Sequence, residues 1–288
     1  ITGSESKGGD WDLEYQVGTI ETQLAFSQQT QQLWQGTLAA FTVNTFDDTI
    51  DINLGDGFAL DADGNTSLRA AIMEANALGG VGTHTIELGA GTYALDIAGI
   101  DEDLAVTGDL DVISTISIQG DSANNTIIDG GGIDRVFHIS DGVGNLTLSD
   151  LTVQGGLAAG GGPGGQGGGI SVFNTNNTLT LNQVIVSGNQ AKDGAGIYNK
   201  GTMTLTDVEI SGNTSTNLGT GKGGGLHNWD TGTLTNVTIS GNSAGVGGGI
   251  FNEFNLTLTN VTVSGNSADG AEGGGIYNSD DLTLMNVT

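Results

Sequence analysis

Six side chains near the middle of the chain could do acid–base work: Asp109, Asp111, Asp129, Asp134, Arg135 and His138. Paired carboxylates can divide the roles of proton donor and acceptor, as in glycoside cleavage. The plainer reading of Arg135 next to Asp134 is an ion pair, and no catalytic residue is assigned. Asp61, Asp63 and Asn65 have the alternating oxygens of a calcium loop. Gly64 is misplaced for that loop, and no Glu stands at its twelfth position. An Asx-rich turn is the competing expectation, with calcium the one cofactor in question. His84, His138 and His227 are far apart in sequence, and His227 is expected to be a surface substitution. Thr204/Thr206, Thr233/Thr235 and Thr257/Thr259 would make two outward columns of hydroxyls, degrading to Ser149 and Asn182 on one side and Met285 on the other. Residues 155–169, GGLAAGGGPGGQGGG, read as a loop extruded from a corner. No Gly-Lys-Ser/Thr follows to make it a phosphate cradle.

The elements that position these residues are written in a repeat. Ser-Gly-Asn begins at Ser187, Ser211, Ser240 and Ser264, at intervals of 24, 29 and 24. A second mark, Gly-apolar-aromatic-Asn or its His variant, ends at Asn199, Asn228, Asn252 and Asn278, at intervals of 29, 24 and 26. Two marks in step over four copies define a solenoid unit. In LTLTNVTV, Leu256, Leu258, Val261 and Val263 face one side and the threonines the other, with a phase shift at Asn260 that reads as a corner. Three short strands per copy, joined by Gly/Asn bends, leave no room for crossover helices. The fold expected is all-β: a right-handed, single-stranded parallel β-helix, a pectin-lyase-like solenoid with an N-terminal capping helix.

Stacking of coils aligns like residues in columns ~4.8 Å apart. Asn199, Asn228, Asn252 and Asn278 should form one ladder, and Asn189, Asn213, Asn242 and Asn266 another, their amides bonding up the shaft. A lone coil of ~24 residues buries about six apolar side chains at roughly 1.5–3 kcal/mol each. Ordering it costs on the order of 1–2 kcal/mol per residue, so only stacked coils are stable.

Composition narrows the functional classes. The net charge is −27 against six Lys and Arg in 288 residues, which excludes nucleic acid as a partner. It also disfavours acidic polysaccharide unless divalent metal bridges the charges. There is no Cys, hence no disulfide, zinc-thiolate or thiol catalysis. No apolar run reaches membrane-spanning length and no signal peptide is visible. The chain starts with Ile and its last copy is cut short, as in a fragment of a longer protein.

Three segments are expected. Residues 1–40 lack the repeat and read as the tail of an upstream domain plus a linker. Their GGDWDLEYQVGTIE stretch resembles the C-terminal edge of an N-terminal domain of unknown function found in large cyanobacterial surface proteins. Residues 41–95 read as a cap, with a helix near 67–78 started by Thr66 or Ser67 and stopped by Gly79. TSLRAAI is similar to the Cys-Ser-Leu-Arg-Glu-Ala-Ile signature of the CSLREA-type domain, with Ala75-Asn76, Thr85-Ile86-Glu87-Leu88 and Gly91-Thr92-Tyr93 following as in that family. Thr66 replaces its Cys and Ala70 its Glu. Residues 96–288 are the β-helix, truncated mid-repeat. Its later copies resemble polymorphic outer membrane protein repeats through Gly-Gly-Gly-Ile at 247–250 and 273–276. These resemblances imply a secreted or surface-attached β-helical protein, mostly without known activity.

The expected function is a non-enzymatic stalk or adhesin-like segment of a bacterial surface protein. It would meet glycans or cell-surface components as a monomeric rod, outside the cell and without inserting in the membrane. The alternatives are a polysaccharide lyase or hydrolase at the Asp/Arg/His cluster, and an ice-binding threonine array.

Overall fold

Alternating apolar and hydroxyl side chains make each strand two-faced, and the buried face can only be closed by winding the chain into a tube. The structure, a computed structural model, describes residues 38–80, 82–100, 102–140, 144–160, 165–217 and 219–288. Its strands stack into four parallel sheets that run up one shaft. One sheet runs from Ala40–Thr42 through Thr202–Thr206 to Leu282–Met285. A second holds Thr126–Asp129, Ile185–Ser187, Glu209–Ser211, Thr238–Ser240 and their neighbours. A third holds Leu110–Val112, Phe137–Ile139, Ile170–Val172, Ile197–Asn199, Leu226–Asn228, Ile250–Asn252 and Ile276–Asn278. The expected parallel β-helix is what the chain forms.

Register is kept copy by copy. Ser187, Ser211, Ser240 and Ser264 pair in line, as do Asn199, Asn228, Asn252 and Asn278. The interior is a continuous column of Leu, Ile and Val, among them Leu148, Leu181, Leu205, Leu234 and Leu258.

Each later coil has one strand more than the three read from sequence. Short strands at Gln190–Ala191, Thr214–Ser215, Ser243–Val246 and Ser267–Glu272 form a fourth sheet with Leu157–Ala158. The cause is the Ser-Gly-Asn turn. Gly188, Gly212, Gly241 and Gly265 have φ of 62–64°, which a Cβ would disfavour. The turn delivers the following residues in an extended, pairable conformation. The expected extruded loop is therefore corrected in part. Leu157–Ala158 pairs with Gln190–Ala191, and Gln166 bridges Asp193, so both ends of that stretch belong to the wall.

The other corner also takes positive φ, here without glycine. Asp150, Gln183, Asp207, Asn236, Asn260 and Asn286 have φ of 54–57°. This is the phase shift read at Asn260, and Asn and Asp tolerate it best among the larger residues. Their side chains add an outer ladder: Asn286 donates to Asn260, Asn260 to Asn236, and Asn236 to Asp207.

The N-terminal end is closed by helix α1, Leu68–Leu78. Ser67 caps it by accepting from the Ala70 N–H, and Gly79 ends it. Leu68, Ala71, Ile72 and Ala75 are buried against the first coils. Two polar clamps fix the helix there. Arg69 is fully buried, forks onto Asp48 at 2.6 and 3.0 Å, and donates to the carbonyls of Ala105, Gly108 and Asp109. Asn76 bonds Asp111 O and Ile113 N at the start of the solenoid. The side chain of Glu74 accepts from Gly55 and Gly57 N–H, holding the 51–58 loop. No helix among the described residues is long and apolar enough to cross a membrane.

Candidate functional site

Within a strand, inward and outward residues alternate, so the third sheet presents an outward column built from the middle residue of each strand. Register puts Asp111, His138, Ser171, Tyr198, His227, Phe251 and Tyr277 in that column. A second outward column follows two residues on: Phe173, Lys200, Trp229 and Glu253, each donating its N–H to the coil before. Five of the solenoid's aromatic residues, two of its histidines and one of its lysines thus share one face.

The middle of this face is tightly bonded. His227 is 2% exposed and lies edge-on between Tyr198 and Phe251, ring centroids 5.1 Å from each. Its Nε2 is 3.0 Å from Glu253 Oε2, and Lys222 Nζ donates to Glu253 Oε1 at 2.6 Å. Lys222 also sits 4.7 Å above the Phe251 ring, and Phe251 stacks on Tyr277 at 4.8 Å. The bond from His227 is the main reason the Glu253 carboxyl is held down to about 2; burial opposes the shift and Lys222 reinforces it. The expectation of His227 as a surface substitution is corrected. Its neighbours one coil on either side are aromatic, and stacking in register buries it. Beside it Lys200 Nζ lies 4.9 Å from the Phe173 ring centre and 5.9 Å from that of Trp229. Trp229 is 48% exposed, so the edge of this face offers an open aromatic platform.

The N-terminal end of the same face carries the acid–base candidates. Asp109 and Asp111 are both buried on the outer side of Leu110–Val112. Arg135 Nε is 3.7 Å from Asp134 Oδ1, the ion pair read from sequence, and closer still, at 2.7 Å, to Asp109 Oδ2. The close contact is off the N–H direction and leaves both atoms without a hydrogen bond. Burial, then repulsion by Asp111, pushes Asp109 up to about 9 in spite of Arg135. Asp111 is pushed up by burial and pulled back by His138 and by the Ala105 N–H. His138 Nδ1 is 3.0 Å from Asp111 Oδ1 and 3.7 Å from Asp103 Oδ1. The ligand atoms of Asp103, Asp111 and His138 lie within 4.8 Å of one another, a set that could hold a divalent cation. Sequence reading missed Asp103 as a member. The available signal was Asp-x-Asp followed one coil later by His138. Asp129 is not part of the group. It sits on the second sheet, bonded to Gly131 N–H and Gln154.

Asp61, Asp63 and Asn65 lie in one turn of the cap. Asp61 Oδ1 accepts from the N–H groups of Asp63 and Asn65, and Oδ2 from the Thr49 hydroxyl. Burial works against the Asp61 charge, but these bonds outweigh it and lower its pKa. Both oxygens of Asp61 are thus engaged, one in an Asx turn and one on Thr49.

The asparagines form two ladders inside the shaft. Asn189, Asn213 and Asn242 each donate from Nδ2 to the next Oδ1 at 3.0 Å, ending on Asn266. The same Oδ1 takes the backbone N–H of the coil below. Asn199, Asn228 and Asn252 donate likewise at 2.7–2.8 Å, ending on Asn278. Asn189, Asn199, Asn213 and Asn228 are fully buried, so they satisfy corner backbone and offer no ligand surface.

The threonine array is taller in one column than the sequence reading had it. Thr147, Thr180, Thr204, Thr233, Thr257 and Thr283 stand in line on the first sheet. An open groove of about 370 Å³ lies elsewhere, along Val184–Ile185 and Val208–Glu209, and has neither cation nor aromatic side chain in its lining.

Comparison with known proteins adds the following. Residues 1–38 match the family model "Domain of unknown function (DUF4347)"; all but the last of these lie outside the described residues. No curated protein matches the chain. Among solved structures it is similar to the pectin methylesterase of Erwinia chrysanthemi, at 13% identity over 83% of this chain and 68% of that one, TM-score 0.45. A pectin methylesterase in complex with a hexasaccharide aligns at 13% identity over 86% and 78%, TM-score 0.48. The A-module of the Azotobacter vinelandii mannuronan C-5 epimerase aligns at 15% over 86% and 96%, TM-score 0.30. At these values the likeness is too coarse to carry a reaction across.

Proposed function

We propose that this protein is a glycan-binding β-helical rod: a non-enzymatic stalk or adhesin-like part of a secreted or cell-surface bacterial protein. The observation that carries the reading is the gathering of Phe173, Tyr198, Lys200, His227, Trp229 and Phe251 on one outward face. Aromatic faces take the C–H side of pyranose rings, while neighbouring ammonium, imidazole and carboxylate groups bond hydroxyls. Rigid strands hold both kinds of group at fixed spacing. A coil repeat of ~4.8 Å is comparable to the length of one pyranose ring, so successive sugars of a chain laid along the rod would meet successive residues of these columns. A broad glycan array is the test. Binding that Trp229→Ala weakens, with the melting curve little changed, supports the reading. Silence across the array leaves only a spacer.

A second reading is favoured by one observation. Asp109, a buried carboxyl pushed up to about 9 by burial, lies beside the Asp111–His138 pair, which could supply acid and base to a bound sugar chain. On this reading the rod is polysaccharide-active, and Asp111→Asn abolishes oligosaccharide cleavage or de-esterification. No turnover of any member of a polysaccharide panel, pectins included, removes it.

A further inference from the structure

We infer that the glycan recognised on this face is acidic, and that Lys200 is the residue that reads its negative charge. The inference rests on the glycan reading above and goes on to name the class of sugar.

One cation on this face has its charge unspent. The chain has a net charge of −27, and most of its few cations face a carboxylate. Arg69 is on Asp48, Arg135 on Asp109, Lys222 on Glu253, and Lys192 is 4.0 Å from Asp193. Lys200 is the exception among the described residues. It has no carboxylate within salt-bridge distance, and its ammonium lies between the rings of Phe173 and Trp229. Cation–ring attraction at such a half-open site is modest and leaves the N–H donors free for an anion. Two rings flank that ammonium along the rod, one of them 48% exposed. A pyranose stacked on Trp229 would set a carboxylate or sulfate on its ring edge against Lys200 Nζ. Such a charge-assisted bond is about twice as strong as the neutral bonds available to an uncharged sugar. The net negative charge of the rod does not cancel this. Repulsion by distant carboxylates is screened beyond ~8 Å at physiological ionic strength, whereas the contact itself is not.

The test is isothermal titration of the whole chain with galacturonate oligomers and with neutral galactose oligomers of equal length. The acidic oligomer should bind at least tenfold more tightly. Lys200→Gln should erase that difference, the acidic oligomer losing more affinity than the neutral one. Lys200→Arg should keep it, and Lys192→Gln should change nothing. Sulfated galactose oligomers tell a carboxylate reader from a general anion reader; preference for either anion over the neutral sugar upholds the role of Lys200. Equal binding of acidic and neutral oligomers by the native chain, or an acidic preference that survives Lys200→Gln, overturns the inference and leaves the glycan reading standing. If no oligomer binds and Trp229→Ala has no effect, the glycan reading itself fails.

Discussion

The threonine-bearing first sheet and the aromatic-bearing third sheet are the same structure from the inside. Both are parallel ladders in strict register over a Leu/Ile/Val interior. Outside they differ completely. One shows hydroxyls at Thr180, Thr204 and Thr233, exposed or half-exposed and bonded to little. The other shows rings, imidazoles, ammonium groups and a carboxylate packed against each other until His227 and Phe251 are 2% and 5% exposed. Inward positions are held by packing, so they vary little from coil to coil. Outward positions are released from that constraint, and a column of them is where a repeat can acquire chemistry without endangering the fold.

That contrast can be broken at several points. The largest effect belongs to the shared interior: Leu205→Ala should cost about 2–5 kcal/mol in denaturant unfolding yet leave glycan binding per folded molecule intact. Asn228→Ala, inside the third sheet, removes the partner of Asn199 and the donor to Asn252. It should cost about 1–3 kcal/mol for the groups left unpaired, and Asn228→Leu should not restore them. Charge on the aromatic face gives a pH signature. Glu253 is held at about 2 when folded, against an ordinary 4.5. Its contribution is therefore complete above pH 4.5 and drains away as pH falls towards 2. Thermal melts across that window should lose their Glu253-dependent slope in Glu253→Gln; an unchanged slope would mean the bond to His227 does not persist in solution. Trp229→Ala should weaken glycan binding about tenfold, near 1.4 kcal/mol, with little loss of stability because the ring is half exposed. Smallest of all, Thr235→Tyr on the first sheet should shift stability by less than about 0.5 kcal/mol and leave binding alone. Thermal hysteresis that disappears in this variant would reverse the comparison and make the threonine face the functional one.

Much of the architecture was written in the chain. Period-two alternation and the Ser-Gly-Asn intervals gave coils, columns and both asparagine ladders, because a repeat stacked on itself has only one register that keeps Leu on Leu. Ser67, Leu68, Ile72 and Gly79 gave the cap helix through local rules. The fourth strand was not legible, since Gln190–Ala191 has no alternation of its own and pairs only because the Gly188 turn aims it.

The site was less legible than the fold, for a related reason. Sequence alone determined which side chains point out and in what order they recur. It did not say what an outward residue meets, because that depends on neighbours 24–29 residues away. So His227 read as a lone surface residue and Arg135 as the partner of Asp134. Stacking placed His227 between Tyr198 and Phe251, and gave Arg135 a second and closer partner in Asp109. Burial, ion pairing and the isolation of Lys200 are properties of assembled columns, and only the tertiary structure decided them.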